Sequence, residues 1–373
     1  MNEECLFRLA LTRLPGVGIM TARRLLQAAG SAVWLFGHRK ELPALLPDVS
    51  PKLVKALDCP EVLRACEAEL KFAERNHIAC LTDEEEAYPS RLRECADAPV
   101  VLFYRGNADL NRLHVVSLVG TRKATAYGQD LCQRLVGELK ELVPDVLVVS
   151  GLAYGIDIAA HRAALQCGAA TIGVLAHGLD RIYPYVHRST AAKMLEQGGL
   201  LTEFASGTSP DRQNFISRNR IVAGMADATV VVESAAKGGA LITAEMAVGY
   251  GRECFAVPGR VGDAFSAGCN QLIRTNRALL LQSAEELVSE LNWNVVRKLP
   301  ADGAVQRQLF PEVSEDEQRL VQVLQRQAEE GMQLNALVVA SGMPVGRVMA
   351  LLLELEMKGL VRSLAGGVYR VVI

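Results

Sequence analysis

Short apolar runs rich in β-branched residues alternate with helix-forming segments between residues 114 and 281. Runs that are apolar on both faces are typical of parallel strands covered by helices on either side. They predict strands at Val115–Val119, Val146–Val149, Thr171–Leu175, Ala228–Glu233, Glu253–Val257 and Ala278–Leu281. Helices are predicted at Tyr127–Leu142, Ile158–Gln166, Ala240–Gly249 and Asn270–Arg274. Alternation of this kind predicts a doubly wound α/β domain with a parallel sheet, which we assign to residues 73–294.

Residues 1–72 form a separate helical domain in this prediction. Apolar residues at helix spacing lie on both sides of Leu14-Pro15-Gly16-Val17-Gly18. Helix, glycine turn and helix resemble a helix-hairpin-helix, or SAM-like, arrangement, whose turn N–H groups can hold a DNA phosphate. A plain turn between packed helices, with glycine supplying positive φ, explains the same residues. Both interpretations stay open.

The C-terminal part reads as a linker followed by a small domain. Residues 295–314 contain Pro300, Gly303 and Pro311 and predict the linker. Residues 315–373 predict a winged helix, three helices followed by a β-hairpin. Its helices are predicted at Asp316–Gln327, Gln333–Ala340 and Val345–Lys358, and its strands at Leu360–Leu364 and Val368–Val372. The third helix offers mostly leucine and few basic residues, which indicates a protein-contact module or weak DNA binding.

Glycine-rich turns follow the predicted strands. Ligands of doubly wound sheets bind at the carboxyl ends of strands, and N–H groups at a following helix N-terminus attract anions. The turns are Gly120-Thr121-Arg122, Ser150-Gly151, His177–Asp180 and Lys237-Gly238-Gly239. None contains the dinucleotide-binding or the P-loop pattern, so NAD, NADP and NTP hydrolysis are not expected. A phosphate is the expected ligand.

Four arginines indicate which phosphate compound binds. They lie on or beside these turns: Arg122, Arg212, Arg218 and Arg220. Guanidinium groups bind phosphate bidentately, and Phe215, in what reads as a polar loop, offers a ring on which an unpaired base can stack. The alternative is that Phe215 packs in the core and the arginines pair with Asp211 or Glu203. One of Arg218 and Arg220 is expected to be structural.

Composition limits the compartment and the chemistry. The net charge of −2 creates no global field that attracts nucleic acid, so attraction must come from local basic clusters. Nine scattered cysteines without a C-x-x-C pair indicate reduced thiols in the cytoplasm. Neither a signal peptide nor a membrane span is expected. No catalytic residue, metal ligand or cofactor is predicted, and His161 is expected to be a hydrogen-bonded core histidine.

Several motifs resemble, in order, those of the bacterial DNA processing protein A family (DprA, also called Smf). They are Ser150-Gly-Leu-Ala-Tyr-Gly-Ile-Asp157, Gly178-Leu-Asp180 with Tyr183-Pro184, Arg218-Asn-Arg-Ile-Val-Ala-Gly224, Gly239-Ala-Leu-Ile-Thr-Ala244 and Val257-Pro-Gly259. The resemblance implies an extended Rossmann-like domain between an N-terminal helical domain and a C-terminal winged helix. Two residues depart from the family pattern, namely His177, where glycine is usual, and Arg188, where asparagine is usual.

The resemblance also implies a function. It implies a cytoplasmic protein that binds single-stranded DNA, protects incoming DNA during natural transformation and loads the recombinase RecA onto it. Family members dimerise through the Rossmann-like domain, so a homodimer is implied. The family's phosphate-binding turn corresponds to Gly120, Thr121 and Arg122, and its backbone contacts to Ser150 and Gly151. Its second basic residue corresponds to Arg212 and its base-stacking aromatic to Phe215.

An enzymatic function is the alternative. The segment Lys237-Gly-Gly-Ala-Leu-Ile-Thr-Ala-Glu245 loosely resembles the Pro-Gly-Gly-x-Gly-Thr-x-x-Glu of nucleotide phosphoribohydrolases, with Glu245 as the acid. Lys237 replaces the proline and Leu241 replaces the third glycine, so the motif is degraded. We therefore expect a DNA-binding protein rather than an enzyme.

Overall fold

The computed structural model describes residues 2–293, 314–325, 331–364 and 367–372. Its contacts divide the chain into two compact units, Met1–Arg297 and Lys298–Ile373. The predicted linker, residues 295–314, lies outside the described residues except for Ser314.

A nine-stranded sheet forms the centre of the first unit, in the order β1-β2-β6-β5-β4-β3-β7-β8-β9. The seven strands from β6 through β5, β4, β3, β7 and β8 to β9 are all parallel to one another. The pairs β1–β2 and β2–β6 are antiparallel. The strands are β1 (Ala79–Thr82), β2 (Val101–Gly106), β3 (Val115–Val119), β4 (Leu147–Ser150), β5 (Ala170–Val174), β6 (Gly198–Thr202), β7 (Ala228–Val231), β8 (Glu253–Ala256) and β9 (Leu279–Leu280).

Helices cover both faces of this sheet, which explains the continuously apolar strands. In β3, Val115 and Val119 belong to one core cluster, while Val116 and Leu118 belong to the cluster on the other face. Both sets are buried because side chains alternate between the faces of a strand. The helices are α7 (Ser90–Arg93), α8 (Ala126–Leu142), α9 (Ile156–Cys167), α10 (Arg188–Gln197), α11 (Arg212–Gly224), α12 (Gly239–Gly249), α13 (Ala267–Arg274) and α14 (Ala284–Glu290), numbered after the N-terminal helices below.

The N-terminal helices share a core with the antiparallel strands. Leu9, Leu25 and Leu35 pack in one cluster with Val101 and Phe103 of β2. The segment predicted as a separate domain, residues 1–72, therefore belongs to the same compact unit as the sheet. Its helices are α1 (Glu3–Thr12), α2 (Ile19–Ala29), α3 (Ala32–Gly37), α4 (Leu42–Leu45), α5 (Pro51–Ala56) and α6 (Pro60–Arg75).

The turn between α1 and α2 has the conformation that its glycines indicated. Gly16 has a φ of 80°, a left-handed conformation that glycine adopts without steric cost, and Gly18 caps α2. The two predicted helices and the glycine turn between them are therefore present in the structure. DNA contact at this turn stays a prediction.

The second unit is the predicted winged helix. Helices α15 (Glu315–Gln325), α16 (Leu334–Ser341) and α17 (Val345–Met357) pack around a three-stranded sheet of β10 (Met332–Gln333), β12 (Val368–Val371) and β11 (Val361–Leu364). Buried leucines of α15 and α17 form its core. No described helix is by itself long and apolar enough to cross a membrane, although α16 and α17, bent by 108°, pass that test as a pair.

Two elements of the first unit correct the sequence predictions. The segment from Arg212 to Phe215, which we expected to lie in a polar loop, begins helix α11, whose N-cap Asp211 accepts the N–H of Asn214 with its carboxylate. Strand β6 was not predicted, because Gly198 and Gly199 resemble a turn. A side chain at Gly198 would collide with the main chain of Thr171 on β5, so glycine permits the close approach of these strands.

Candidate nucleic-acid interface

The candidate site lies at the carboxyl ends of the central strands. From β3 the chain proceeds through β4 and β5 to β6 in one direction and then returns to β7, which pairs with the other side of β3. The strand order therefore reverses between β3 and β7. Loops separate at such a point and leave a crevice, which is where ligands of open α/β sheets bind.

Neighbouring loops hold the turn after β3 in place. The Thr121 N–H donates to the carbonyl of Glu233 (2.7 Å), and the Thr121 carbonyl accepts from the N–H of Ile156 (3.1 Å). The Glu233 carboxylate accepts the N–H (2.9 Å) and the hydroxyl (2.5 Å) of Thr125. Gly120 lies against Ile156, and a Cβ there would collide with it. The turn is therefore fixed and presents the side chains that follow it.

The structure brings Arg122 and Phe215 together. The guanidinium carbon of Arg122 lies 4.6 Å from the centre of the Phe215 ring, a cation–π distance. The ring of Tyr183 packs on the same phenylalanine, with centroids 6.0 Å apart. Arg212 precedes Phe215 by three positions on α11, so the two side chains share one face of that helix.

The two outer arginines are exposed and available. Within the described residues, neither Arg122 nor Arg212 has a hydrogen-bond or ion-pair partner. Phe215 is half-buried and packs beside two arginines and Tyr183 rather than in a core cluster of the described chain. The alternative that Phe215 is a core residue is therefore not supported. Unpaired cations around an accessible ring suit a ligand with both phosphates and bases.

Arg218 forms the floor of the site. It is buried under Phe215, whose ring centre lies 5.9 Å from its guanidinium carbon, and it donates a hydrogen bond to the Val174 carbonyl. A Cβ at Gly151 would collide with the guanidinium, so this glycine makes room for Arg218. Burial lowers the pKa of Arg218 to about 10 and raises the pKa of the nearby Asp157. Arg218 stays charged at neutral pH and adds positive potential below Phe215.

Arg220 is the structural member of the pair. It is buried, it forms an ion pair with Glu203, and it donates to the carbonyl of Asp97. Burial raises the pKa of Glu203. Because its guanidinium is committed to these partners, we correct the sequence prediction and leave Arg220 out of the set that contacts a ligand. Of the four candidate arginines, Arg220 is the one that forms, within the described residues, the pairing with Glu203 that we weighed as an alternative.

The turn after β4 is also supported from within. Ser150 is fully buried, and its hydroxyl donates to the carbonyl of Leu118 on β3 (2.6 Å). His161 is fully buried between the hydroxyl of Thr171 (2.7 Å) and the N–H of Leu152 (3.3 Å). Burial lowers the pKa of His161 to about 3, so the ring is neutral. His161 is thus the hydrogen-bonded core histidine that the sequence predicted.

Lys237, Gly238 and Gly239 lie at the N-terminus of α12, after β7. Gly238 is the N-cap and no side chain caps this helix. A Cβ at Gly238 would collide with the Ser234 hydroxyl, so glycine allows the close turn. Lys237 is exposed and, among the described residues, has no acidic partner. The free N–H groups can therefore donate hydrogen bonds to an anion, which the positive end of the helix dipole also attracts.

Two further side chains belong to this edge and were missed from sequence. Tyr183 contacts Phe215, but the sequence analysis named it only as part of a family motif and not as a site residue. Lys123 is an exposed cation next to Arg122. An exposed tyrosine gives no periodic signal, and its position depends on how the loop after β5 folds. In the described parts of the chain no three His, Cys, Asp or Glu side chains are grouped to hold a metal ion.

Two family models match this chain. The model described as DNA recombination-mediator protein A matches residues 79–292, and the DprA winged helix domain matches residues 306–367. The chain belongs to the DprA family. This confirms the resemblance and the fold class predicted from the motifs: a DprA-type α/β unit with a large parallel sheet and a C-terminal winged helix.

Relatives and solved structures of the DprA family agree. Protein Smf of Escherichia coli is 34% identical over 314 residues, covering 82% of this chain and 81% of the relative. Protein Smf of Synechocystis is 32% identical over 399 residues and covers 99% of both chains. The X-ray structure of DprA from Streptococcus pneumoniae has a TM-score of 0.57 and 30% identity, covering 74% of this chain and 98% of that one.

A further DprA structure concerns single-stranded DNA directly. It describes the single-stranded DNA binding mode of DNA processing protein A from Helicobacter pylori. It is 27% identical to this chain, has a TM-score of 0.52, and covers 58% of this chain and 95% of that chain. Membership of the DprA family supports a role in DNA processing.

Proposed function

We propose that this protein binds single-stranded DNA at the edge formed by the carboxyl ends of β3, β4 and β7. The observation that carries the proposal is the Arg122 guanidinium stacked 4.6 Å from the Phe215 ring, with Arg212 on the same helix face. Arginine binds phosphate, and an aromatic ring stacks on a base. An unpaired strand offers both groups, whereas a duplex hides its bases. The DNA binding described for the Helicobacter pylori relative supports this assignment.

Binding to single-stranded and duplex oligonucleotides of the same sequence tests the proposal. We expect the single strand to bind at least about tenfold more tightly, because only it can stack a base on Phe215. If Arg122, Arg212 and Lys237 contact three phosphates, raising the salt from about 50 to about 200 mM should weaken binding about 20-fold. Fluorescence anisotropy measures both effects. Equal affinity for the two DNAs contradicts the proposal.

Family membership supports the rest of the function. We propose that the protein acts in the cytoplasm as a homodimer through its Rossmann-like domain, protects incoming DNA during natural transformation and loads RecA onto it. The surface of the winged helix favours binding of a protein partner over binding of DNA. Arg347 and Lys358 of its third-helix region pair with Asp316 and Glu317. The exposed residues of α17 include the apolar side chains Met349, Leu353 and Met357.

Removing residues 298–373 should separate DNA binding from recombinase loading. We expect the shortened chain to bind a single-stranded oligonucleotide within about threefold of the full chain, because the cationic edge lies wholly in the first unit. It should lose most of its stimulation of RecA assembly on DNA coated by single-strand-binding protein. Anisotropy and the DNA-dependent ATP hydrolysis of RecA report the two activities. Loss of most DNA affinity would show that the winged helix binds DNA.

We also propose that the protein is not an enzyme. Glu245, the acid of the alternative, lies on α12 about 9 Å along the helix from Gly239, with its side chain exposed to solvent. It forms an ion pair with Arg277 (2.8 Å) on the surface. An exposed, paired carboxylate so far along the helix is poorly placed to act on a ligand at the turn. Release of free base from nucleoside monophosphates at enzyme-like rates would overturn this part.

A further inference from the structure

The segment after β5 exposes two tyrosine rings beside the candidate interface. Tyr183 is 45% exposed and Tyr185 is 72% exposed. Large aromatic side chains are mostly buried, and exposed ones next to a binding site indicate a contact surface. Tyr183 already contacts Phe215, with ring centroids 6.0 Å apart. The two tyrosines therefore extend the surface that begins at Phe215.

Two buried histidines hold this segment in place. His177 Nε2 accepts the N–H of Tyr183 (3.2 Å), and its Nδ1 lies 2.8 Å from the carbonyl of Gly178, to which it donates. Burial lowers the pKa of His177, which is consistent with this neutral form. At the other end, His187 Nδ1 donates to the carbonyl of Leu152 after β4 (2.9 Å). Anchoring at both ends reduces the entropy lost when a ligand orders the rings.

A cation accompanies the outer tyrosine. The guanidinium carbon of Arg188 lies 5.8 Å from the centre of the Tyr185 ring, and its Nη1 donates to the Tyr185 hydroxyl (3.2 Å). Arg188 is exposed and, among the described residues, has no acidic partner. The nearby Arg181, by contrast, pairs with Asp180 (2.8 Å). Arg188 and Tyr185 thus repeat the arginine–aromatic pairing of Arg122 and Phe215.

We propose that Tyr183, Tyr185 and Arg188 form a second subsite for single-stranded DNA, next to the Arg122–Phe215 pair. In this subsite the tyrosine rings stack on unpaired bases and Arg188 binds the phosphate between them. The inference rests on the DNA binding proposed above. Continuity with Phe215 and a cation beside the exposed ring favour an unpaired polynucleotide over a protein partner.

Strand length distinguishes the two subsites. We expect Tyr185→Ala with Arg188→Ala to weaken binding of an oligothymidylate of about 20 nucleotides about tenfold, because a stacked base and a phosphate contact are lost. A strand of about six nucleotides, which fills the Arg122–Phe215 subsite first, should change less than about twofold. Tyr185→Phe keeps the ring and should retain most of the affinity. Both substitutions are at exposed positions, and thermal unfolding verifies the fold.

A strand of abasic sites keeps the phosphates but has no bases, so its binding separates the contribution of base stacking from that of phosphate contacts. For such a strand Tyr185→Ala should have no effect, while Arg188→Ala should still weaken binding and flatten its salt dependence. As a control, Arg64→Ala on α6 removes the same charge from an exposed position. It should leave the affinity for both strand lengths unchanged. If the double variant binds both lengths like the wild type while Arg122→Ala weakens both, the second subsite does not exist. If Arg122→Ala itself binds normally, the proposed function fails.

Discussion

Reversing the charge of both Arg122 and Arg212 should weaken single-stranded DNA binding by at least about 100-fold and leave the fold intact. Each arginine is exposed and has no hydrogen-bond or ion-pair partner within the described residues, so folding loses little when either is replaced. A charge-assisted hydrogen bond contributes about 1.5–3 kcal/mol, and 1.4 kcal/mol corresponds to a factor of ten. Two lost contacts therefore predict the stated loss, to which the repulsion between the new carboxylates and phosphates adds.

A matched variant separates this effect from net charge. Lys52→Glu with Lys55→Glu changes the charge by the same amount at exposed positions on α5. Fluorescence anisotropy should show wild-type affinity for this control and a large loss for Arg122→Glu with Arg212→Glu. Thermal unfolding midpoints should agree within about 2 °C, which corresponds to roughly 1 kcal/mol for a domain of this size. An equal loss in the control would mean that DNA responds only to net charge.

Phe215→Ala should have the second largest effect, about 10- to 100-fold weaker binding. Stacking of one base on an aromatic ring contributes about 1–3 kcal/mol. The ring also orients the Arg122 guanidinium, which lies 4.6 Å from its centre. Since no phosphate contact is deleted directly, the slope of affinity against salt should stay close to that of the wild type.

The conservative change provides the control for this prediction. Phe215→Trp keeps an aromatic face and should bind within about threefold of the wild-type affinity, because bases stack on any aromatic side chain. Titrations of the wild type and both variants at several salt concentrations measure affinity and slope together. Wild-type affinity in Phe215→Ala would mean that the ring serves only to pack between Arg122 and Arg218.

The parallel sheet was predictable because its strands are buried on both faces. Strands β3, β4, β5, β7 and β8 begin and end within about two residues of the predicted runs. A short, continuously apolar run rich in β-branched residues is typical of a buried strand. The glycine turns followed from the same pattern. Burial of the strands and the position of the turns at their carboxyl ends are two consequences of one topology.

Helix α11 was not predictable from periodicity. Its buried face contains Arg218 and Arg220, whose charges hide the apolar spacing that normally reveals a helix. These arginines are buried only because Val174, Asp97 and Glu203 from other elements offer them oxygen atoms. Such partners are distant in sequence, so the helix becomes evident only in the tertiary structure.

The same dependence on tertiary contacts limits the site prediction. Sequence named Arg122, Arg212 and Phe215, but their proximity depends on how α11 packs near the turn after β3. It could not decide between Arg218 and Arg220, because their spacing is compatible with either being structural. The ion pair with Glu203 assigns that role to Arg220.

The dependence of oligonucleotide affinity on salt tests the central claim most directly. On a strand of about six nucleotides, which fills the Arg122–Phe215 subsite first, contacts of Arg122, Arg212 and Lys237 with three phosphates predict a slope of about −2 for the logarithm of the association constant against the logarithm of salt concentration. Replacing Arg122 and Arg212 by alanine should reduce the slope to about −0.7. An unchanged slope in that double variant would place the DNA backbone elsewhere on the molecule and contradict the account.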